Sequence, residues 1–412
     1  MPDAARSVAA FLRGERARQA EFLAALVRVP SDNPPGDCAP HAAHAAALLE
    51  ALGLAVERHA VPEALVRARG MVSVTNLVVR HRFGPGGPVI ALNAHGDAVP
   101  PGEGWTRDPY GAEVADGWMH GRGVAVSKSD FATYAWALLA LKALGAAGPR
   151  RGAVELHFTY DEETGGELGP AWLLAEGISR PDYAIAAGFT YEVVHAHNGC
   201  LHLEVALRGR SAHAAKPWTG ADALEAANQV LGALYAWRRG LAGRVSAIPG
   251  IGAPQMTVGL IAGGVNTNVV PDRVTLRLDR RIVPEEDPAE AEAELRAVIE
   301  GAARAFPAVA VAVRRILLAA PLVPIAGSER LGAALCRHAS RVTGEAVRTG
   351  GVPLYTDARH YAARGVPVVL YGAGPRRIED ANAHAADERL PLEDLHRATE
   401  AVACALHELL QG

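Results

Sequence analysis

Residues 201–317 contain six segments whose patterns of apolar side chains alternate between extended and helical. In chain order they are LHLEVALRG (201–209), ADALEAANQVLGALYAW (221–237), QMTVGLIAGG (255–264), RVTLRLDRRIV (273–283), PAEAEAELRAVIEGAARAF (288–306) and VAVAVRRIL (309–317). Apolar residues spaced two apart predict a strand, and those spaced three or four apart predict a helix. The resulting β-α-β-β-α-β order is typical of a ferredoxin-like domain. We therefore predict a small separate domain over residues 201–317.

The chain on either side has a different organisation, in which helical and extended segments alternate. Helical patterns occupy 15–29, 40–53, 130–145, 328–342 and 392–410, and strand-like runs occupy 72–81, 88–94, 153–160, 182–187 and 366–372. Such alternation predicts an α/β sheet flanked by helices. The chain should therefore form one discontinuous α/β domain, 1–200 and 318–412, into which the small domain is inserted.

Composition excludes several kinds of partner. The 412 residues are 50% hydrophobic and 21% charged, and the formal charge of −4 comes from 45 acidic and 41 basic residues spread along the chain. Without a basic stripe we expect no nucleic-acid partner, and without a long apolar run we expect no membrane partner. Residues 1–27 carry charge throughout, which is not typical of a secretory signal. The four widely spaced cysteines imply neither a disulfide scaffold nor a thiolate metal site, and a cytoplasmic location fits best.

Two strand ends carry side chains suited to metal chemistry. In VIALNAHGDAVP (89–100), His95 and Asp97 lie two residues apart, a spacing that suits an imidazole ligand oriented by a carboxylate. In FTYDEETGG (158–166), Asp161, Glu162 and Glu163 follow another strand, and adjacent acids there suggest a metal ligand beside a general base. Each motif by itself equally fits a plain alternative, a hydrogen-bonded histidine or a solvated acidic turn.

Further polar residues are informative chiefly through their order along the chain. The motifs are HGDAVP (95–100), W-x-x-D-P-Y (105–110), GRG (121–123), D-E-E-x-G-G (161–166), S-A-H-x-x-x-P (211–217), N-x-V-P-D (268–272), TDAR (356–359) and AHAADE (383–388). In this order they resemble the dinuclear zinc family of aminoacylases, acetylornithine deacetylases, succinyl-diaminopimelate desuccinylases and carboxypeptidase G. The resemblance implies a zinc-peptidase-like α/β domain with an inserted ferredoxin-like lid that dimerises.

The resemblance also implies metal-site roles for individual residues. His95 would be a ligand of one zinc, oriented by Asp97. Glu162 would be the general base that activates the metal-bound water, and Glu163 and His384 would bind the other zinc.

For the substrate, the resemblance implies a second group of residues. His213, contributed by the partner subunit, would hold the developing oxyanion. Asn268 and Arg281 would receive carboxylate or carbonyl groups of the substrate, and the turn containing Thr356 would shape the floor of the pocket. Lys128, in the glycine loop that follows Gly123, is a further candidate for contact with the substrate.

Two positions depart from the family pattern. The family's glycine loop reads G-R-G-x-x-D-x-K-G, with an aspartate that bridges both zinc ions, whereas Val126 stands at that position. In YAIAAGFTYE (183–192), Gly188 stands where the family has an acidic ligand, and a shift of one residue would offer only Phe189. One zinc would then keep Glu163 and His384, and the other would keep His95 alone. A catalytic zinc normally has three protein ligands, so we expect no zinc pair.

Asp130 is the nearest acid that could replace the missing bridge. It lies four residues past Val126, at the start of a predicted helix, where an acid interacts favourably with the helix dipole. That position accounts for Asp130 without a metal. We therefore expect at most one zinc or similar divalent cation, or none.

Three functions remain open from the sequence. The first is an amidohydrolase, of deacylase or dipeptidase type, that acts on a small N-acyl or amino-acid-like substrate with an incomplete metal site. The second is a metal-independent enzyme in which Glu162 shuttles protons during isomerisation, elimination, cyclisation or acyl transfer. Here His95, Lys128 and His213 would serve as polar helpers. The third is a non-catalytic protein that binds a small molecule. In each case we expect a homodimer formed through the lid.

Overall fold

The computed structural model describes residues 2–411, which divide into two compact units. The larger unit comprises Met1–His195, Pro324–Gly350 and Thr356–Gly412, and the smaller unit comprises Ala196–Val323 and Gly351–Tyr355. The smaller unit therefore begins a few residues before the predicted boundary at 201 and ends a few residues after 317. It also takes in residues 351–355, which the sequence analysis placed in the larger domain.

The secondary structure of residues 2–411 consists of α-helices, β-strands and short 3-10 turns. The helices are α1 (Pro2–Val27), α2 (Ala39–Ala51), α3 (Glu63–Ala68), α4 (Lys128–Ala143), α5 (Pro170–Ala175), α6 (Ala223–Arg238), α7 (Pro288–Ala303), α8 (Ser328–Thr343), α9 (Ala358–Ala362) and α10 (Leu392–Gln411). The strands are β1 (Val56–Ala60), β2 (Thr75–Gly84), β3 (Val89–His95), β4 (Glu113–Ala115), β5 (Trp118–His120), β6 (Gly152–Thr159), β7 (Tyr183–Ala186), β8 (Glu192–His197), β9 (Gly199–Arg208), β10 (Gln255–Gly263), β11 (Arg273–Ile282), β12 (Ala310–Ala319), β13 (Arg348–Val352), β14 (Val368–Leu370) and β15 (Arg389–Pro391).

The larger unit is built on an eight-stranded mixed sheet of order β1-β2-β6-β3-β7-β14-β8-β13. Strand β3 pairs in parallel with both β6 and β7, and β14 also pairs in parallel with β7. The carboxyl ends of parallel strands lie at one edge of a sheet, where side chains from several strands converge. His95, at the end of β3, lies opposite Thr159, at the end of β6. This register places the HGD and DEE motifs side by side.

Helix α4 lies inside the larger unit. It is buried on almost every side, from Lys128 to Leu141, and packs against α1 and α10. Its apolar face includes Phe131, which stacks on Phe158 of β6 with ring centroids 3.9 Å apart. A helix that is apolar all round is typical of a buried element. Because the glycine loop leads directly into α4, burial of this helix fixes the loop.

The smaller unit has a four-stranded antiparallel sheet of order β10-β11-β9-β12. Helices α6 and α7 contact each other and this sheet, and their apolar residues form a core that includes Val230 and Leu295. The strand order and the β-α-β-β-α-β sequence of elements are those of a ferredoxin-like fold. The predicted fold class, an α/β domain with a ferredoxin-like insertion, is confirmed.

Three strands of the larger sheet, β1, β8 and β13, were not predicted. The sequence of β1, VERHA, is mostly polar, and the sequence of β13, RTGGV, contains two glycines. Neither shows the apolar pattern on which strand prediction depends. Among residues 2–411, no helix is long and apolar enough to cross a membrane.

Candidate metal and catalytic site

Asp97 holds His95 and the acidic turn of the site in position. Its Oδ1 lies 3.3 Å from His95 Nδ1 and accepts from Glu162 N at 3.3 Å, and its Oδ2 accepts from Glu163 N at 3.2 Å. Asn33 Nδ2 also donates to Asp97 Oδ2, at 2.9 Å. A carboxylate with this many donors is held firmly, so Asp97 can fix both the imidazole and the acidic turn. The contribution of Asn33 has no signal in the sequence.

His95 is the best-positioned ligand of the site. Its Nδ1 lies 3.0 Å from the Asp97 carbonyl oxygen, and its backbone N donates to Ser127 Oγ at 3.0 Å. Its Nε2 lies 3.9 Å from Glu162 Oε2. Burial opposes protonation of the ring, yet the neighbouring carboxylates, Asp97 first, raise the pKa of His95 well above its usual value. The surroundings of His95 therefore favour a positive charge.

The acidic turn Glu162–Thr164 presents two carboxylates toward His95. One ligand atom each from His95, Glu162 and Glu163 lie within 4.8 Å of one another. Burial raises the pKa of Glu162 well above its usual value. Two carboxylates and an imidazole this close form a donor set suited to a divalent cation.

His384 approaches the same cluster from a distant part of the chain. Its Nε2 lies 3.2 Å from Glu163 Oε1, and the hydrogen bond to that carboxylate raises the pKa of His384. The backbone of His384 has φ 62°, in the left-handed region, which costs about 1–3 kcal/mol for a residue other than glycine. The loop therefore holds this imidazole toward Glu163 against its local preference.

Glu388 anchors the glycine loop, although the sequence analysis assigned it no role. Its carboxylate accepts from Arg122 at 2.7 Å and from the backbone N of Gly123, Ala125 and Val126 at 2.9–3.2 Å. The side chains of Glu388 and Arg122 are each 1% exposed. The two residues lie 266 positions apart in the chain, so their pairing has no local signal.

Lys128 occupies an interior position in the larger unit. Its side chain is wholly buried, and Nζ donates to the Val29 carbonyl oxygen at 3.2 Å. Burial lowers the pKa of Lys128 to about 8. The predicted contact of Lys128 with substrate is inconsistent with this position, because its ammonium is used to join two internal segments.

Asp130 is also occupied by backbone groups. Its Oδ1 accepts from Ala373 N at 2.8 Å, and its Oδ2 accepts from Gly188 N at 3.2 Å. Burial raises the pKa of Asp130 to about 7. Among residues 2–411, two groups of three side chains lie close enough together to hold a metal ion, and Asp130 belongs to neither group. These contacts account for a carboxyl group at this position without a metal, in addition to its favourable interaction with the helix dipole.

Gly188 has no room for the acidic side chain of the family pattern. A Cβ atom at this position would lie 2.7 Å from Tyr371 N and 2.8 Å from the Leu370 carbonyl carbon. Backbone atoms cannot move aside as a flexible side chain can, so a larger residue would displace the end of β14. The surrounding backbone therefore leaves room for glycine but not for an aspartate or a glutamate at this position.

A further acid, Asp357, lies in the TDAR turn that was expected to shape the pocket, although no role of its own was predicted for it. Burial raises the pKa of Asp357, and the charge of Glu162 raises it further. Its Oδ2 accepts from Thr159 Oγ1 at 3.4 Å, whereas the predicted residue Thr356 uses its Oγ1 to accept from Ala358 N at 3.2 Å. Asp161 is likewise buried, and its pKa is raised by burial and then by Asp357. Like charges in a buried site disfavour ionisation of each acid.

The smaller unit brings together two of its predicted substrate residues. His213 is exposed and forms a β-bridge with Val269, and Ala214 N donates to the Asn268 carbonyl oxygen at 3.0 Å. Arg281, on β11, donates from Nε to Asp279 Oδ1 at 2.9 Å. Its neighbour Arg280 is fully buried and donates to Glu286 at 2.7 Å, so it has a structural function.

Comparison with known proteins agrees with the fold and the site. The family model described as "Peptidase family M20/M25/M40" matches residues 91–408. An acetylornithine deacetylase from Myxococcus xanthus is 28% identical over 372 residues, 90% of this chain and 92% of that protein. A succinyl-diaminopimelate desuccinylase from Methylobacterium sp. (strain 4-46) is 30% identical over 392 residues, 90% of this chain and 91% of that protein.

Solved structures show the same fold. A dipeptidase from Saccharomyces cerevisiae superposes with a TM-score of 0.80 at 15% identity, and the alignment covers 100% of both chains. A tripeptidase from Staphylococcus aureus superposes with a TM-score of 0.74 at 20% identity, covering 96% of this chain and 99% of that one. The fold and the matches place the protein in the class of hydrolases that act on C–N (amide) bonds. Within that class, the chain belongs to Peptidase family M20/M25/M40, which confirms the resemblance drawn from its motifs.

Proposed function

We propose that the protein is an amidohydrolase of deacylase or dipeptidase type that acts on a small amino-acid-like substrate with one divalent cation. The observation that supports a single cation is the convergence of remnants from both family sites. Ligand atoms of His95, Glu162 and Glu163 lie within 4.8 Å of one another, and His384 Nε2 lies 3.2 Å from Glu163 Oε1. One ion between His95 and Glu163 would thus draw a ligand from each of the two family sites.

The residues present do not fit the family's zinc pair. Val126 cannot bind a metal, and the space that a side chain at Gly188 would need is filled by the backbone of residues 370–371. A single cation would be held by His95 and Glu163, whose ligand atoms lie within 4.8 Å of each other. His384 contacts Glu163 but lies outside this close group, so it would have to move toward His95 to become the third ligand. When bound, such a cation polarises a carbonyl group and lowers the pKa of water.

The chain's own residues would handle the proton. Glu162 is buried beside His95 and is held in place through its backbone N by Asp97. From this position its carboxylate would accept a proton from the attacking water and return it to the leaving amine. Asp97, which contacts Nδ1 of His95, would keep Nε2 of that ring directed toward the site.

The kind of substrate is inferred from the relatives. Both a deacetylase and a desuccinylase, as named above, are proteins whose names specify removal of an acyl group from an amino acid. We assign Asn268 and Arg281 to the substrate's polar end and His213 to the oxyanion, with His213 supplied by the second subunit of a homodimer. The cytoplasm remains the predicted location.

An assay with and without metal tests this proposal. Purified protein should hydrolyse some member of a panel of N-acetyl amino acids, N-succinyl amino acids and dipeptides. Turnover should fall to background with a chelator and return when Zn²⁺, Co²⁺ or Mn²⁺ is added. Turnover that survives complete removal of metal would contradict the proposal, and binding without turnover across the panel would indicate a binding protein instead.

The second candidate is a metal-independent enzyme that uses Glu162 as a proton shuttle. Val126 favours it, because an apolar side chain stands at the bridging position in a loop whose backbone Glu388 nevertheless holds in place. This candidate predicts turnover that is insensitive to chelator. The same assay therefore separates the two.

Replacing Val126 with aspartate should strengthen metal binding. Val126→Asp adds a carboxylate at the family's bridging position, so the affinity for Zn²⁺ is expected to rise. We expect a rise of about 10–100-fold, which is the usual change in metal affinity when a residue that supports a metal site is altered. The measurement is competition with a chromophoric chelator. Val126→Asn, which has the same shape without the charge, is the matched control, and an equal effect of the two variants would rule out ligation by the new carboxylate.

A further inference from the structure

Three side chains with metal-binding atoms meet in the smaller unit. Cys200 Sγ lies 3.2 Å from His202 Nε2 and 3.6 Å from Asp279 Oδ2, and the latter two atoms are 2.9 Å apart. The cysteines are isolated along the chain, and for that reason no thiolate metal site was expected from the sequence. The structure instead places one of them beside an imidazole and a carboxylate.

The register of the sheet explains why they meet. Cys200 and His202 are two residues apart on β9, so their side chains lie on one face of the sheet. Strand β11 pairs antiparallel with β9, with Asp279 opposite His202 and Arg281 opposite Cys200. Side chains directly opposite each other on adjacent strands are close neighbours. The cluster is therefore held by two paired strands rather than by a flexible loop.

The donor set has the chemistry of a zinc site. Cysteine, histidine and aspartate are all zinc ligands, whereas calcium and magnesium prefer oxygen alone. Ligands at zinc distances and tetrahedral angles lie about 3.3–3.8 Å apart. The three observed separations of 2.9, 3.2 and 3.6 Å come within a few tenths of an ångström of that range. A small outward shift would admit the ion.

Exposure and charge also suit a cation. The side chains of His202 and Asp279 are 36% and 29% exposed, which leaves an approach from solvent and a position for water. Arg281 Nε donates to Asp279 Oδ1 at 2.9 Å, and His202 Nε2 lies 2.9 Å from Oδ2, so both neighbours favour a charged carboxylate. Arg281 bonds Oδ1 and leaves Oδ2 facing the cysteine and the histidine. With a thiolate, the four side chains would carry a net charge of −1.

We propose that Cys200, His202 and Asp279 form a Zn²⁺ site in the ferredoxin-like unit, with water as the fourth ligand. This site shares no residue with the cluster of His95 and Glu163, so it does not depend on the proposed function. Binding would release the thiol proton and hold Asp279, which also bonds Arg281. Occupancy would thereby restrain a residue that we assign to the substrate.

Cobalt substitution of the full-length protein tests the site. Co²⁺ bound to a thiolate gives a charge-transfer absorption in the near ultraviolet that imidazole and carboxylate ligands do not give. Titration of metal-free protein with Co²⁺ should produce this band and saturate it at about one ion per chain for a site of this kind. Absence of the band in the native protein would overturn the proposal.

Matched variants assign the band to its ligands. Cys200→Ser should abolish it, and His202→Ala, at a partly exposed position, should weaken binding without disturbing the fold. Cys404→Ser, a buried cysteine in the larger unit, is the control and should leave the band unchanged. A band that persists in Cys200→Ser would also overturn the proposal. His384→Ala changes only the cluster of the larger unit, so the absorption band should be the same in this variant as in the native protein. That result would separate the two sites even if the cluster of the larger unit binds no metal.

Discussion

Glu162→Gln is expected to lower kcat by about 10²–10⁴-fold, the usual contribution of a general acid–base group. Glutamine keeps the shape of the side chain but cannot accept a proton. The loss is expected for a metal-dependent hydrolase and for a metal-independent enzyme, because both assign proton transfer to this carboxylate. The measurement is steady-state kinetics on whichever substrate of the panel the native protein turns over.

A measurement of the stability of Glu162→Gln is the control for a folding defect. Burial raises the pKa of Glu162, so the folded chain loses stability as the pH rises through the range in which this carboxyl ionises. Glutamine does not ionise, and the variant should resist urea at least as well as the native protein above neutral pH. Glu192→Gln is the matched control, because burial also raises the pKa of that glutamate at a position outside the cluster. Undiminished kcat in Glu162→Gln would exclude Glu162 as the proton carrier.

Glu388→Gln is expected to destabilise the larger unit by about 3–5 kcal/mol, the usual cost of breaking a buried ion pair. The variant leaves the Arg122 guanidinium without a counter-charge. Its amide NH2 must also face other donors, either Arg122 and the Gly123 N–H or the N–H groups of Ala125 and Val126. That loss would be a large part of the free energy of unfolding of a typical domain, which is on the order of 5–15 kcal/mol. Urea-induced unfolding measures it.

An exposed ion pair provides the contrast. Arg16 and Glu393 are joined at 2.9 Å, but their side chains are 46% and 49% exposed. Glu393→Gln should therefore cost less than about 1 kcal/mol. A similar loss of unfolding free energy in Glu388→Gln and Glu393→Gln would contradict this prediction. It would show that burial does not make the Arg122–Glu388 pair more stabilising than an exposed pair.

Local pattern was sufficient for most of the fold. Helices such as α4 and α10 and strands such as β3 and β6 repeat apolar residues at the helical or extended period, or as continuous apolar runs. Strands β1 and β13 lack that pattern and take their structure from the neighbours with which they pair. Residues 351–355 belong to the smaller unit for a similar reason, since they contact it although they lie far along the chain from it.

The site divides in the same way. Its chemical types could be read from the sequence: an imidazole and carboxylates at strand ends, and a valine at the bridging position. Their interactions could not be read from it, because Glu388 and Arg122 are 266 residues apart and Gly188 meets Asp130 across 58 residues. Lys128 shows the limit most clearly, since a charged residue in a loop motif suggested contact with substrate and the folded chain buries it instead.

Periodicity and side-chain chemistry are properties of short segments, so the kinds of element, the family and the available ligands could be read from the sequence. Which of those ligands meet depends on how the chain folds. The tertiary structure brought His95 close to Glu163 and Glu163 to His384, gave the carboxylate of Asp130 to backbone donors, and set Cys200 beside His202 and Asp279. These contacts depend on strand register and on the packing of distant segments, which no local pattern specifies.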